Sequence, residues 1–420
     1  MTSSSPKVME KQLSAGRLLN FWKIFFVFLR LGLTSFGGPV AHLAHFHYTF
    51  VQKSKWISER SFSESVALCQ MLPGPTSSQV AMSMGMTWAG RAGAFAAWSG
   101  FTLPSALLLF LIARGLMLAP FASLPAILLG LKLSAVAIVL QALVSMVRSL
   151  CPDVPRALWA GLILFVSQKY HFLGSHFVWI VSGAAAGQLL LPPTSKNTSC
   201  AQHSPHTGPE CPTPSKSDPF FLLLFAVLLL CLPLAVTHAE SFHLQVFDKF
   251  FRAGAWVFGG GHVVLPLLVE EFTKNNLIPR ETLLTAYGAA QAMPGPLFSI
   301  SSFLGASLLP ESAPTPSALW TAGLALIAIY LPSFLLLFGL RSYWKKFKDT
   351  PAFKGALLGV NATVVGLLAA VLFDPLITQT ITGTIELVIV GGGFALLQFA
   401  RWPSWAVVLW VVAMALFCLT

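Results

Sequence analysis

Phe28-x-Arg30-x-Gly32-x-x-x-Phe36-Gly37-Gly38 returns 222 residues later as Phe250-x-Arg252-x-Gly254-x-x-x-Phe258-Gly259-Gly260. Gln70-Met71-Leu72-Pro73-Gly74-Pro75 returns as Gln291-Ala292-Met293-Pro294-Gly295-Pro296, at an offset of 221. Two motifs repeated in the same order and nearly the same register mark an internal duplication. In an apolar chain, such a duplication points to a transporter built of two related halves with the substrate between them.

Composition sets the class. The chain has 420 residues, of which 55% are hydrophobic and 10% charged, with a mean hydropathy of +0.73. Soluble domains carry about 25% charged residues. The expected fold is an all-α polytopic membrane protein, because helices satisfy their own backbone hydrogen bonds in lipid. The apolar runs are too long for barrel strands. No cleavable signal peptide is visible, since residues 1–17 are polar. The net charge of +11 does not indicate nucleic acid: the basic residues are scattered between apolar segments, where they set orientation in the bilayer. Of the six cysteines, Cys69, Cys151, Cys231 and Cys418 lie in or beside apolar segments and read as small hydrophobes. Cys200, His203, His206 and Cys211 resemble a metal cluster, but their spacing fits no standard zinc pattern, so they read as part of a polar tether and no metal or cofactor is expected.

The expected organisation is a cytoplasmic tail (1–17), a first repeat (18–191), a disordered polar linker (192–218), an extra membrane helix (219–239) and a second repeat (240–420). An odd span between the halves carries the chain across the membrane, so the second repeat starts on the other side. Loop charges agree. The turn at Arg91 is basic, whereas its equivalent at 310–316 holds Glu311 and no basic residue. Arg148 and Arg156 flank another turn whose equivalent, 374–383, has none. The 114–120 turn has one basic residue, while its equivalent gathers Arg341, Lys345, Lys346, Lys348 and Lys354. The positive-inside rule then makes the repeats inverted, with the N-terminus and the 341–354 loop cytoplasmic and the C-terminus outside. Each repeat opens with two interrupted segments. Gly-Gly and Pro-Gly-Pro cannot continue a helix, so broken or re-entrant helices are expected, with their tips lining a cavity.

Leu33-Thr34-Ser35-Phe36-Gly37-Gly38-Pro39, the 70–75 stretch and their copies resemble the chromate ion transporter family in its long, two-domain form. The resemblance covers nearly the whole chain outside the tail and linker. It implies a secondary transporter, not an enzyme, that exports chromate across the inner (plasma) membrane and confers chromate resistance. Sulfate or another oxyanion, taken up or exchanged, is the alternative substrate; an anion channel fits less well. A homodimer is left open. Membrane-enzyme signatures such as HExxH, the nucleophile elbow and the P-loop are missing from the sequence.

The local chemistry suits an anion. A helix restarting after Gly37-Gly38, Gly259-Gly260, Pro73-Gly74-Pro75 or Pro294-Gly295-Pro296 offers backbone N–H groups and a positive dipole end. Ser35, Thr76, Ser77, Ser78, Ser299 and Ser301 add hydroxyls at those turns; helix capping is their other use. Arg30 and Arg252 share a repeat position inside apolar stretches and could each clamp an oxyanion, or else snorkel to the headgroups. Lys132 is the third intramembrane cation, with Asn361 as its counterpart. His42 and His262 follow the glycine turns, and either is a proton carrier, an anion ligand or a structural histidine. Gln70 and Gln291 align and are candidate ligands for the substrate or the unwound backbone. Carboxylates are scarce away from segment ends. The membrane potential already favours export of a dianion, by about 2.3 kcal/mol per charge per 100 mV.

Overall fold

The computed structural model describes residues 21–118, 123–170, 175–190, 218–239, 241–273, 277–310, 312–344 and 350–418. Residues 1–20, residues 191–217 with Cys200, His203, His206 and Cys211, and lysines 345, 346 and 348 lie outside the described residues. The first half contains α1 (21–34), α2 (Gly38–Phe46), α3 (Glu59–Met71), α4 (Thr76–Leu118), α5 (Leu124–Leu150), α6 (Val154–Lys169) and α7 (Ser175–Leu190). α8 (Asp218–His238) connects it to α9 (Phe242–Ala255), α10 (Val264–Thr273), α11 (Arg280–Ala292), α12 (Ile300–Ser307), α13 (Thr315–Leu340), α14 (Pro351–Val371), α15 (Thr384–Gln398) and α16 (Ser404–Cys418). Among the described residues there is no strand, and five helices are long and apolar enough to cross a membrane. The chain is an integral membrane protein of all-α class.

The helix breaks fall where backbone chemistry puts them. Gly37 and Gly38 have φ of 98° and 76°, and Gly259 and Gly260 have 77° and 132°. Gly74 and Gly295 have 125° and 102°. Residues with a Cβ avoid this left-handed region, so the duplicated glycines end one helix and let the next start at a new angle. α4 breaks again at Ala89-Gly90, where the second half has a full loop between α12 and α13.

The halves interlock as if across a two-fold axis. The closing hairpin of each half packs on the other half's long span: α6 and α7 lie on α14, and α15 and α16 lie on α5. Trp159 Nε1 donates to Thr363 Oγ1 at 2.8 Å across the first of these contacts. Close helix crossings use small residues, as expected where dispersion packing holds helices together. A Cβ on Gly32 would lie 2.6 Å from the Phe101 carbonyl oxygen, and one on its counterpart Gly254 would lie 2.1 Å from that of Ile329. α8 has no counterpart in the first half. It packs on α9 and α13, and only 6% of its apolar window is buried, so its Leu- and Phe-rich surface faces outward.

Candidate functional site

The duplicated turns meet at the centre, each bonded to the opposite half. The Gly74 N–H donates to the Val257 carbonyl at 2.7 Å, and the Gly295 N–H donates to the Ser35 carbonyl at 2.9 Å. Ser35 and Val257 are themselves equivalent positions. A pair of contacts in which i meets j and j meets i is the signature of two-fold symmetry. These two amides are therefore committed to holding the halves together, where the sequence suggested they were free for a ligand.

The two glycine turns adjoin at the wall of a cavity of about 740 Å3. A Cβ on Gly261 would touch Pro39 Cγ at 3.5 Å. The wall includes Gly37 and Pro39 from one turn and Gly259, Gly260 and His262 from the other. α2 starts at Gly38 with no side chain capping it. The 3-10 turn Gly261–Val263, which runs straight into α10, is likewise uncapped by any side chain. Gln70 and Thr76 add a third side from the first Pro-Gly-Pro turn. No residue of 294–299 lines this cavity. The two Pro-Gly-Pro turns thus do not form its opposite walls; each sits behind the other half's glycine turn.

Sequence reasoning passed over the fourth wall. Gln141, Ser145 and Ser149 line the cavity from α5. Their spacing of four places them on one face of the helix, a polar stripe in an otherwise apolar span. Asn361 lines it from α14, and its Oδ1 has no hydrogen-bond partner. Among the described residues the lining contains no Asp, Glu, Lys or Arg. Its polarity comes from hydroxyls, amides, one imidazole and helix ends. His262 Nδ1 lies 2.7 Å from the Tyr287 hydroxyl oxygen, which fixes the ring.

The three cations singled out in the sequence, Arg30, Arg252 and Lys132, lie elsewhere. Arg30 is exposed on the outer surface. Arg252 is held by Asp248 at 3.3 Å and Glu271 at 2.9 Å. Lys132 Nζ sits 3.2 Å from Glu281 Oε2. The arginine pair equivalent by repeat position is therefore not equivalent by environment, and neither member reaches the cavity. His42 is 1% exposed, with Nδ1 3.3 Å from Ser77 Oγ and its ring edge-on to Phe101. Ser35 Oγ lies 2.9 Å from His45 Nδ1. Ser301 bonds back to the Phe298 carbonyl at 2.9 Å and is buried. Gln291 lies beside Tyr287, away from the cavity.

One turn deeper than Thr76 lies a buried hydroxyl cluster drawn from three equivalent pairs: Ser78 with Ser299, Thr102 with Tyr330, and Ser105 with Ser333. Ser105 Oγ and Ser299 Oγ are 2.6 Å apart. Gln79 Nε2 donates to Ser333 Oγ at 3.3 Å and to the Pro73 carbonyl at 2.6 Å. The Tyr330 hydroxyl approaches those of Ser78, Thr102 and Ser299, yet those of Ser78, Thr102 and Tyr330 lack a well-directed partner. Each half contributes the same set of repeat positions to the cluster.

A helical membrane protein made of two related, interlocked halves, with a polar cavity between broken helices at their junction, is a membrane transporter by class. The chain belongs to the chromate transporter family, whose family model matches residues 22–188 and 244–419. An uncharacterised transporter of Methanocaldococcus jannaschii is 27% identical over 83% of this chain and 82% of its own length. A chromate transport protein of Pseudomonas aeruginosa is 24% identical over 85% and 81%, and one of Cupriavidus metallidurans is 26% identical over 81% and 78%. No solved structure matches the chain.

Proposed function

We propose that this protein transports chromate, a tetrahedral dianion, out of the cytoplasm across the plasma membrane, and that the cavity between the glycine turns is its binding site. The observation that carries the site is the convergence of two equivalent, uncapped helix starts on one cavity free of carboxylates. Helix N-termini and backbone amides are ready anion sites, and a lining without acids does not repel a double negative charge. Neutral donors release the ion more easily than a guanidinium clamp would, which a carrier needs. Gly37, Gly259, Gly260 and Gly261 present the backbone; Gln70, Thr76, His262, Asn361, Ser145 and Ser149 supply side-chain contacts. The volume leaves room for the ion with part of its hydration shell.

The inverted arrangement read from the loop charges supports the direction. α5 enters the cavity wall at Gln141 and ends beside Arg148, and α14 contributes Asn361 soon after Lys354. Both helix ends adjoin loops that the positive-inside rule makes cytoplasmic, so this cavity faces the cytoplasm. The N-terminus and those loops are then inside and the C-terminus outside. Cysteines introduced singly at Arg91 and Lys354 are expected to label from the cytoplasmic side and one at Ser312 from the outside. Labelling of 91 and 354 from opposite sides contradicts the inversion.

The functional test is flux of labelled chromate and of sulfate in proteoliposomes with an imposed potential and pH gradient. Chromate moves down its electrochemical gradient in this reading, and protein-free vesicles do not transport it. Sulfate that competes identifies a general oxyanion carrier. Chromate is also expected to protect a Thr76→Cys or Ser149→Cys variant from a thiol reagent. Protection at neither position, with flux intact, moves the binding site away from this cavity.

A further inference from the structure

The two halves place equivalent helices in opposite states. α3 is equivalent to α11 at an offset of 221, and the Gly130-Leu131-Lys132 run of α5 is equivalent to Gly359-Val360-Asn361 of α14 at an offset of 229. α11 packs along α5. The contact is close enough that a Cβ on Gly288 would lie 2.2 Å from the Leu131 carbonyl oxygen. The equivalent pair, α3 and α14, scarcely touches. Ala67, the counterpart of Gly288, and Asn361, next to the counterpart of Leu131, instead line the cavity.

Burial follows the same division. Leu284, Thr285 and Gln291 on α11 are 1%, 5% and 9% exposed. Ser63, Glu64 and Gln70 hold the same repeat positions on α3 and are exposed. Gln291 Nε2 is buried beside the Tyr287 hydroxyl with no well-directed hydrogen bond, a state that contact with water or an anion relieves. Its counterpart Gln70 already faces the cavity. An ion pair spans the closed contact, Lys132 to Glu281 at 3.2 Å. The equivalent positions of the open contact hold no such pair. Asn361 stands in place of Lys132, and Arg60, in place of Glu281, is turned to Glu64 on its own helix at 3.2 Å.

We propose that the protein contains a second, opposite-facing oxyanion cavity between α11 and α5, closed in this structure and latched by Lys132 and Glu281. Transport exchanges the two packings: α11 leaves α5 while α3 closes on α14. Small residues at both positions, Gly288 and Ala67, permit close helix approach on either side. Gln291 then takes the place on the far side that Gln70 holds on the near one. Lys132, freed from Glu281, stands at the new mouth as a cation that the near cavity lacks. The inference rests on the inverted arrangement proposed above, which the loop labelling at 91 and 354 tests separately.

The test is reactivity in a background free of native cysteines, and it needs no cargo. A Gln70→Cys variant should react quickly from the cytoplasmic side. A Gln291→Cys variant should react slowly, and only from the opposite side. Adding Glu281→Gln to it should speed that reaction about fivefold, the scale of one partly exposed ion pair. The reversed pair, Lys132→Glu with Glu281→Lys, should return the rate to its slow value, which a mere loss of folding does not do. Labelling of position 291 from the cytoplasmic side, or equal rates with and without the latch, overturns the proposal.

Discussion

Leucine in place of Gly74 or Gly295 is expected to abolish transport and lower the melting temperature. Gly74 has φ of 125°, and a Cβ there would lie 2.2 Å from Ser333 Oγ and 2.6 Å from Gln79 Nε2. Gly295 has φ of 102°, and its Cβ would lie 2.8 Å from Ser105 Oγ. Backbone strain of about 1–3 kcal/mol adds to overpacking of about 1–3 kcal/mol. Either turn moves, and with it the amide that holds the opposite glycine turn at the cavity wall. The cause is thus a broken junction between halves, rather than a blocked ligand amide. A double variant separates the two components. Ser333→Ala should partly rescue Gly74→Ala by removing the clash with the Ser333 hydroxyl, while leaving that with Gln79 and the strain of the positive φ. Flux in proteoliposomes at matched protein, together with thermal unfolding in detergent, reads both. Wild-type flux and stability in Gly74→Leu would remove the junction from the account.

Arg252→Ala and Arg30→Ala are expected to differ sharply despite their shared repeat position. Removing the Arg252 guanidinium strands Asp248, which is 4% exposed, and leaves Glu271 with Lys249 at 3.9 Å. Breaking a buried pair costs about 3–5 kcal/mol, and the remaining lysine puts this case near the lower end. Arg252→Ala should therefore lose melting temperature and protein yield, with Asp248→Asn recovering part of both. Arg30 is exposed, and its loss should stay within about 0.5 kcal/mol, with flux close to wild type. Equal loss of flux in both variants, with unchanged melting temperature, would instead place both arginines on the path of the ion.

The duplication, the helical membrane class and the helix breaks were legible in the sequence because each has a local cause. Glycine and proline act on their own backbone, and apolar runs long enough to span lipid need no partner to be recognised. The family is carried by the same short motifs. A polar stripe such as Gln141, Ser145 and Ser149 was also there to be read from its spacing. So was the Asp248–Arg252 pairing, whose separation of four places both side chains on one helix face.

The tertiary structure decided which of the conspicuous residues share a site. Repeat position alone makes Arg30 and Arg252 look alike, but Glu271 comes from another helix and neutralises only one of them. It also decided that Gly74 and Gly295 bond to the opposite half, and that both glycine turns, but only the first Pro-Gly-Pro turn, line the cavity. The asymmetry between α3 and α11 is least visible in the chain. Two similar sequences hold two different packings, because each helix's neighbours, not its own residues, set which face is buried.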